Sequence, residues 1–159
     1  MSVDKVRNFL TKFGAEERIR EFDVSSATVA LAAEALGCEP CRIAKSIALA
    51  TPEGAVLVVA AGDAKIDNQK FKSQFNTKAK MLTPEDTLAL VGYAVGGVCP
   101  FDVNEGVRVY LDESMKRFGT VFPACGSSNS AIELTLDELE RFSGYVSWVD
   151  VCKGWQNEA

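Results

Sequence analysis

The chain has 159 residues, of which 47% are hydrophobic and 25% charged, and its formal net charge is −5. This length and composition are typical of one folded domain, here predicted to span residues 1–159, and they exclude disordered and collagen-like chains. The sequence contains no histidine, which excludes Ser-His-Asp and Cys-His catalysis and every imidazole-ligated metal.

The first half of the chain mixes helix and strand signals. Apolar spacing and turn residues predict, in chain order, a helix over 3–13, a strand over 18–22, a helix over 27–36 and two strands over 46–51 and 55–61. Gly14 and Gly37 end the two helices, and Ser25 or Ser26 is expected to cap the second. A Pro/Gly turn joins the two strands into a hairpin, whose second strand is apolar enough to lie centrally in a sheet.

The second half continues this mixture. Its signals predict, in chain order, a helix over 67–75, a strand over 79–82, a helix over 83–92, strands over 107–112, 120–124 and 131–134, a helix over 135–142 and a strand over 145–151. Thr83 and Pro84 are typical of a helix start, and Thr135 with Glu138 forms a capping box. The order of elements predicts a mixed α/β (α+β-like) single domain, with a mixed, partly antiparallel sheet packed by helices.

The lack of an apolar targeting segment and the pattern of cysteines both indicate a reducing compartment. No apolar run approaches the ~20 residues of a membrane helix, and the first residues lack the apolar stretch of a signal peptide. We therefore expect a soluble, cytoplasmic protein with no membrane partner, whose five cysteines are reduced thiols. Cys38 and Cys41 have CxxC spacing, and two interpretations stay open: a pair of loop thiols, or the centre of a redox protein.

Lys45 stands where a loop leads into an apolar strand. A lysine held among buried residues costs desolvation free energy unless it faces a cleft or an anionic partner. The alternative is a lysine at the strand edge whose apolar stem lets the ammonium reach water. Spacing alone does not favour either interpretation.

Two loops rich in small residues are candidates for close approach to a ligand. Residues 95–101 carry paired glycines followed by a proline, which produce a tight and exposed backbone but fit neither a GxGxxG nor a Walker loop. Residues 123–130 offer hydroxyl and backbone N–H groups after a strand. Ordinary turns are the alternative for both loops.

A basic cluster interrupts this acidic chain between residues 64 and 80, where five lysines accompany a single acid, Asp67. The lysines are Lys65, Lys70, Lys72, Lys78 and Lys80. Such a patch can attract a polyanion although the whole chain is negative, and the alternative is a solvated helix face. The overall charge argues against a protein coated in nucleic acid, and DNA is not an expected partner.

In their order and spacing, these segments resemble the YbaK/EbsC family, the prolyl-tRNA-synthetase-associated editing domains. The resemblance covers most of the chain between residues 26 and 144. The matching segments are 32–37, 43–46, 61–67, 83–85, 92–93, 96–101, 109–114, 126–127 and 132–139.

The resemblance implies a freestanding deacylase that hydrolyses mischarged aminoacyl-tRNA and removes a small amino acid such as Ala, Ser, Thr or Cys. It places the family's functional lysine at Lys45, the predicted catalytic residue, and the five clustered lysines against tRNA. The predicted substrate-binding residues are Thr28, Ser46, Gly96, Gly97, Val98, Pro100, Gly126 and Ser127. Neither a metal nor an organic cofactor is implied, and the expected partners are aminoacyl-tRNA and, as a further candidate, an aminoacyl-tRNA synthetase.

Two positions depart from the family pattern. Cys99 stands where this loop usually carries serine, so a different polarity is expected at the pocket rim. Ser127 and Ser128 stand where some relatives carry histidine, so the amino acid removed is not fixed by the resemblance. The alternative function is a non-catalytic module of the same fold that binds tRNA or a synthetase without turnover.

Overall fold

A six-stranded mixed sheet organises the chain in the computed structural model, which describes residues 2–155. The α-helices are α1 (Ser2–Leu10), α2 (Val29–Leu36), α3 (Asn68–Phe75), α4 (Pro84–Asp86) and α5 (Leu136–Ser143), and a π-helix, Thr87–Val91, directly continues α4. The strands are β1 (Arg20–Glu21), β2 (Ile43–Thr51), β3 (Gly54–Ala61), β4 (Lys65–Ile66), β5 (Arg108–Asp112), β6 (Thr120–Pro123), β7 (Ser130–Ala131), β8 (Leu134–Thr135), β9 (Ser147–Val149) and β10 (Cys152–Lys153). No helix within the described residues has the length and apolar character needed to span a bilayer.

The central part of the sheet is the predicted hairpin of β2 and β3. The strand order is β8-β6-β2-β3-β5-β9, with antiparallel β8–β6 and β2–β3 pairs and parallel β6–β2, β3–β5 and β5–β9 pairs. β3 is buried along almost its whole length, as expected for an apolar strand with neighbours on both sides. The predicted mixed, partly antiparallel sheet is therefore confirmed.

The start of α2 differs from its prediction. Thr28 caps this helix, because its hydroxyl accepts a hydrogen bond from the backbone N–H of Leu31 at 3.2 Å. The prediction that Ser25 or Ser26 caps it is wrong, and Ser25 instead accepts the N–H of Ala27 at 3.1 Å. Thr28 takes the role because it directly precedes the first helical residue, where a side-chain oxygen reaches an unpaired N–H of the first turn.

Strand predictions in the second half are confirmed in position but not in length. Segment 79–82 forms only a bridge between Met81 and Leu49. Segment 131–134 is divided between β7, which pairs with β1, and β8, which pairs with β6. A run of apolar residues indicates that a segment is buried. The length of a strand depends instead on how many of its residues pair with a neighbouring strand.

The outer edge of β2 changes partners along its length. β6 pairs only with Ile43 and Ala44, and farther along the N–H of Leu82 donates to the carbonyl of Ala48 at 3.0 Å. Over residues 45–47, no strand in the described part of the chain pairs with this edge. The sheet therefore has an opening beside Lys45.

An ion pair joins the N-terminal segment to α5. Glu138 completes the predicted capping box with Thr135 and accepts hydrogen bonds from Arg18 at 2.6 and 3.0 Å. The hydrogen bond from Arg18 is the main cause that lowers the pKa of Glu138 to about 2. Because the ionised form is favoured only in the folded state, its contribution to stability is present above the ordinary carboxyl pKa and is lost as the pH falls through about 2.

We expect Glu138→Gln to lower the free energy of unfolding at pH 7 by about 1–2 kcal/mol, since it removes the charge and disturbs the cap. Urea denaturation at several pH values between 7 and 2 measures the effect, and the difference from the wild type should shrink as the pH falls. Asp137→Asn is the matched control, because Asp137 lies in the same helical turn but is exposed. Equal losses in both variants would assign the effect to the helix dipole rather than to Arg18.

Candidate functional site

A cavity of about 260 Å³ lies at the opening in the sheet. Its walls come from the start of α2, the free edge of β2, the segment around Met81, the turn after β6 and the glycine loop, defined as residues 95–101. Most of the lining side chains are small or apolar. The predicted site residues that line it are Thr28, Lys45, Ser46, Gly96 and Val98.

Lys45 lines the cavity on the unpaired stretch of β2, and its ammonium is held by backbone carbonyls. The Nζ atom donates to the carbonyl oxygen of Gly62 at 3.4 Å and to that of Ala64. Burial lowers the pKa of Lys45 from its ordinary value; Cys152 and Asp63 oppose this effect and Lys65 adds to it. Since an ammonium group has three donors and the carbonyls take two, one donor remains for a ligand.

The glycine loop packs directly on the Gly-Ser turn, defined as Gly126 and Ser127. A Cβ atom on Gly97 would lie 2.7 Å from the carbonyl carbon of Gly126 and 2.8 Å from the backbone nitrogen of Ser127. Gly96 has φ of +99°, and its Cβ would lie 3.2 Å from the Cβ of Ala27. Only residues without side chains let three backbone segments approach each other this closely.

Four predicted substrate-binding residues stand behind the cavity wall rather than in it. Gly97, Pro100 and Gly126 are buried, and none of them lines the cavity. The hydroxyl of Ser127 lies 2.6 Å from that of Ser130, which does line it. Gly97 and Gly126 support the wall through their close packing, and Ser127 supports it through Ser130.

Several lining residues were not predicted from the sequence. They include Ser26, Met81, Thr87 and Phe122, whereas Val95, Ala124 and Ser130 belong to the two candidate loops without having been named as site residues. Phe122 and Ala124 reach the cavity because β6 pairs with the start of β2, and Met81 reaches it through its bridge to Leu49. No local pattern marks such residues, because pairing between distant segments brings them together.

Burial disfavours the thiolate form of Cys38, Cys41 and Cys99. Cys99 is fully buried, and burial raises its pKa to about 12. It therefore lies in the core, and the expectation that its thiol changes the polarity of the pocket rim is wrong. Burial also raises the pKa of Cys38 and of Cys41, whereas a reactive thiol needs a lowered pKa. Within residues 2–155, no three His, Cys, Asp or Glu side chains are grouped as a metal site requires.

One of the five lysines in the predicted basic cluster is engaged by acceptors of the protein itself, and the other four are exposed. Lys70 donates to Asp150 and to the carbonyl of Cys152, both at 3.0 Å. Lys65 is exposed and stands opposite Lys153, because β4 pairs with β10. Lys72, Lys78 and Lys80 are exposed as well.

Comparison with known proteins assigns this fold and cavity to a class. The family described as aminoacyl-tRNA editing domain matches residues 23–142. A crystal structure described as that of a candidate trans-editing enzyme for prolyl-tRNA synthetase is similar, with a TM-score of 0.86 and 29% identity over 96% of this chain and 98% of that chain. The chain therefore belongs to the aminoacyl-tRNA editing domain family, and the resemblance to YbaK-like domains is confirmed.

Two sequence relatives contain a similar segment in chains of very different length. Uncharacterized protein YwhH of Bacillus subtilis (strain 168) is 52% identical over 157 residues, which are 98% of this chain and 100% of that protein. The proline–tRNA ligase of Halalkalibacterium halodurans is 29% identical over 104 residues, which are 65% of this chain but only 18% of the ligase. The domain thus resembles both a protein of its own size and one segment of a much longer ligase.

Proposed function

We propose that the protein is a trans-editing deacylase, which hydrolyses the ester bond between a wrong, small amino acid and tRNA. The observation that carries this proposal is the shared cavity, in which Lys45 from the opening in the sheet and Gly96 from the glycine loop line one space. Membership of the editing-domain family supports the same reaction. We further propose that the protein acts in the cytoplasm, as one domain, and that a synthetase is a candidate partner.

In this mechanism Lys45 uses its remaining donor to bind an oxygen at the acylated end of the tRNA, either the ester carbonyl or a phosphate. A water oxygen adds to the carbonyl carbon, the bond from that carbon to the ribose oxygen breaks, and the ribose oxygen receives the proton that water loses. The ester is already activated, so positioning and electrostatic stabilisation can supply the acceleration. A chain without histidine is capable of both.

The cavity has room for the esterified amino acid. Its volume of about 260 Å³ is slightly below the range of about 300–1,000 Å³ that is usual for small-molecule sites. Alanine, serine, threonine and cysteine all fit a cavity of this volume, which does not choose among them. Size alone gives modest discrimination, on the order of 10–200-fold for one methylene group.

The decisive experiment offers the purified protein a panel of tRNAs charged with alanine, serine, threonine, cysteine or proline. We expect release of a small, wrong amino acid and little release of the amino acid that the tRNA normally carries. Retention of tRNA without release of amino acid from any of them would favour the alternative, a binding module of the same fold.

We further propose that the exposed lysines contact the phosphate backbone of tRNA and that Lys153 joins them. Like charges directly opposite each other destabilise a sheet, and Lys65 and Lys153 stand in this relation on β4 and β10. A polyanion relieves the repulsion, so its binding site is expected where the two ammonium groups are adjacent.

The double variant Lys65→Ala/Lys153→Ala should bind tRNA more weakly, and the slope of log affinity against log salt should fall by about 2. Filter binding between 50 and 200 mM salt measures this slope. Lys12→Ala/Arg141→Ala removes two exposed cations beside the stacked rings of Phe13 and Phe142 and is the matched control. An equal change in both double variants would mean that only the net charge matters.

A further inference from the structure

In the part of the chain that the structure describes, five residues with hydroxyl groups line the cavity. They are Ser26, Thr28, Ser46, Thr87 and Ser130. Three of these hydroxyls already take part in hydrogen bonds. Thr28 caps α2, Thr87 donates to the carbonyl of Thr83 at 2.8 Å, and Ser130 is 2.6 Å from the hydroxyl of Ser127.

Ser26 and Ser46 are different. Their Oγ atoms are buried, and neither has a hydrogen-bond partner in the part of the chain that the structure describes. A buried hydroxyl without a partner is costly, and most such groups in proteins are paired. A serine side chain has three staggered positions, so rotation about the Cα–Cβ bond can turn each hydroxyl towards the cavity that its residue lines.

The two serines approach the cavity from different elements, which fixes their positions independently. Ser26 is held by its backbone N–H, which donates to the carbonyl of Ser128 at 2.6 Å, just before α2. Ser46 lies on the unpaired stretch of β2, directly after Lys45. Both serines therefore line the same cavity as Lys45, Ser26 from the segment before α2 and Ser46 from the free edge of β2.

The surroundings indicate which chemical group the serines bind. The nearby lining residues include Ala32, Ala44, Ala48 and Val98, and a charged group among apolar side chains is costly without a charged partner. A neutral hydroxyl is suited to this environment, because it both donates and accepts and can pair with both serines.

The geometry points to Ser26 and Ser46 as specificity-determining residues that bind the side-chain hydroxyl of the esterified amino acid. The substrate class is then seryl- or threonyl-tRNA rather than alanyl-tRNA. This inference rests on the proposed deacylase function and narrows it. An alanine side chain is small enough to enter the cavity but leaves both serine hydroxyls without a partner. Hydrolysis of alanyl-tRNA is therefore disfavoured.

Single-turnover hydrolysis of one tRNA charged with serine, threonine or alanine tests the inference on the wild type, Ser26→Ala and Ser46→Ala. The wild type should prefer the hydroxylated amino acids by about 10- to 100-fold. Each variant should lose about tenfold more rate on seryl- and threonyl-tRNA than on alanyl-tRNA. Ser73→Ala, at an exposed position on α3, should keep the wild-type preference.

Three outcomes are distinguishable. If the wild type hydrolyses alanyl-tRNA as fast as seryl-tRNA, or if both variants lose the same factor on all three substrates, the inference is overturned and the deacylase function stands. If the wild type hydrolyses none of the panel, the proposed function itself is wrong. Thermal unfolding of each variant separates a loss of rate from a loss of fold.

Discussion

Replacing Lys45 by methionine should reduce deacylation of the preferred mischarged tRNA by at least about 100-fold, the loss typical when one preorganised donor is removed from an active site. Methionine keeps most of the apolar stem of the side chain and removes only the ammonium, so the lining of the cavity should be retained. Single-turnover hydrolysis measures the loss, and the unfolding transition shows whether the fold is intact. Lys12→Met is the matched control, at an exposed lysine on the turn after α1.

The pH dependence provides a second readout of the same residue. Burial lowers the pKa of Lys45, so the ammonium should be lost as the pH rises through a value below the ordinary lysine pKa. Enzymatic deacylation, corrected for spontaneous ester hydrolysis, should fall on this alkaline limb. A wild-type rate in the methionine variant, or an unchanged alkaline limb, would remove Lys45 from the mechanism.

Local sequence signals were sufficient for most elements of the fold. The hairpin of β2 and β3, the capping box of α5 and the proline at the start of α4 each depend on residues that are close in sequence. Such features are fixed by backbone sterics and by hydrogen bonds over three or four residues. The helix and hairpin predictions therefore agree with the structure in their interiors and differ from it mainly at their ends.

The site was predicted in part, because its geometry depends on pairing between distant segments. Lys45 and Gly96 were recognisable from the resemblance, but Phe122 and Met81 line the cavity only because β6 pairs with the start of β2 and Met81 forms a bridge to Leu49. The register of distant strands follows from packing of the whole core, which no short window of sequence contains. Ser25 or Ser26 was wrongly predicted to cap α2, and the place of Ser26 in the cavity became visible only in the structure.

Gly97→Ala should destabilise the protein and damage the cavity together. Its Cβ would lie 2.7 Å from the carbonyl carbon of Gly126, and this neighbour is backbone that cannot rotate away as a side chain can. Relief requires the glycine loop and the Gly-Ser turn to separate, which shifts Gly96 and, through Ser127, Ser130 in the cavity wall. We expect a loss of about 1–3 kcal/mol in the free energy of unfolding, as for other overpacked interiors, and a fall in deacylation of about tenfold or more, the size that small misplacements of reacting groups produce.

Gly119→Ala is the control, because a Cβ at Gly119 meets nothing within 4 Å. That change should leave deacylation at the wild-type rate and should stabilise the fold slightly, by up to about 1 kcal/mol, since alanine restricts the unfolded chain more than glycine does. The two substitutions add the same methyl group, so opposite signs of the stability change would assign the effect at Gly97 to contact between the two loops. If both variants unfold at the same urea concentration, the two loops are not in contact in solution and do not support the cavity wall.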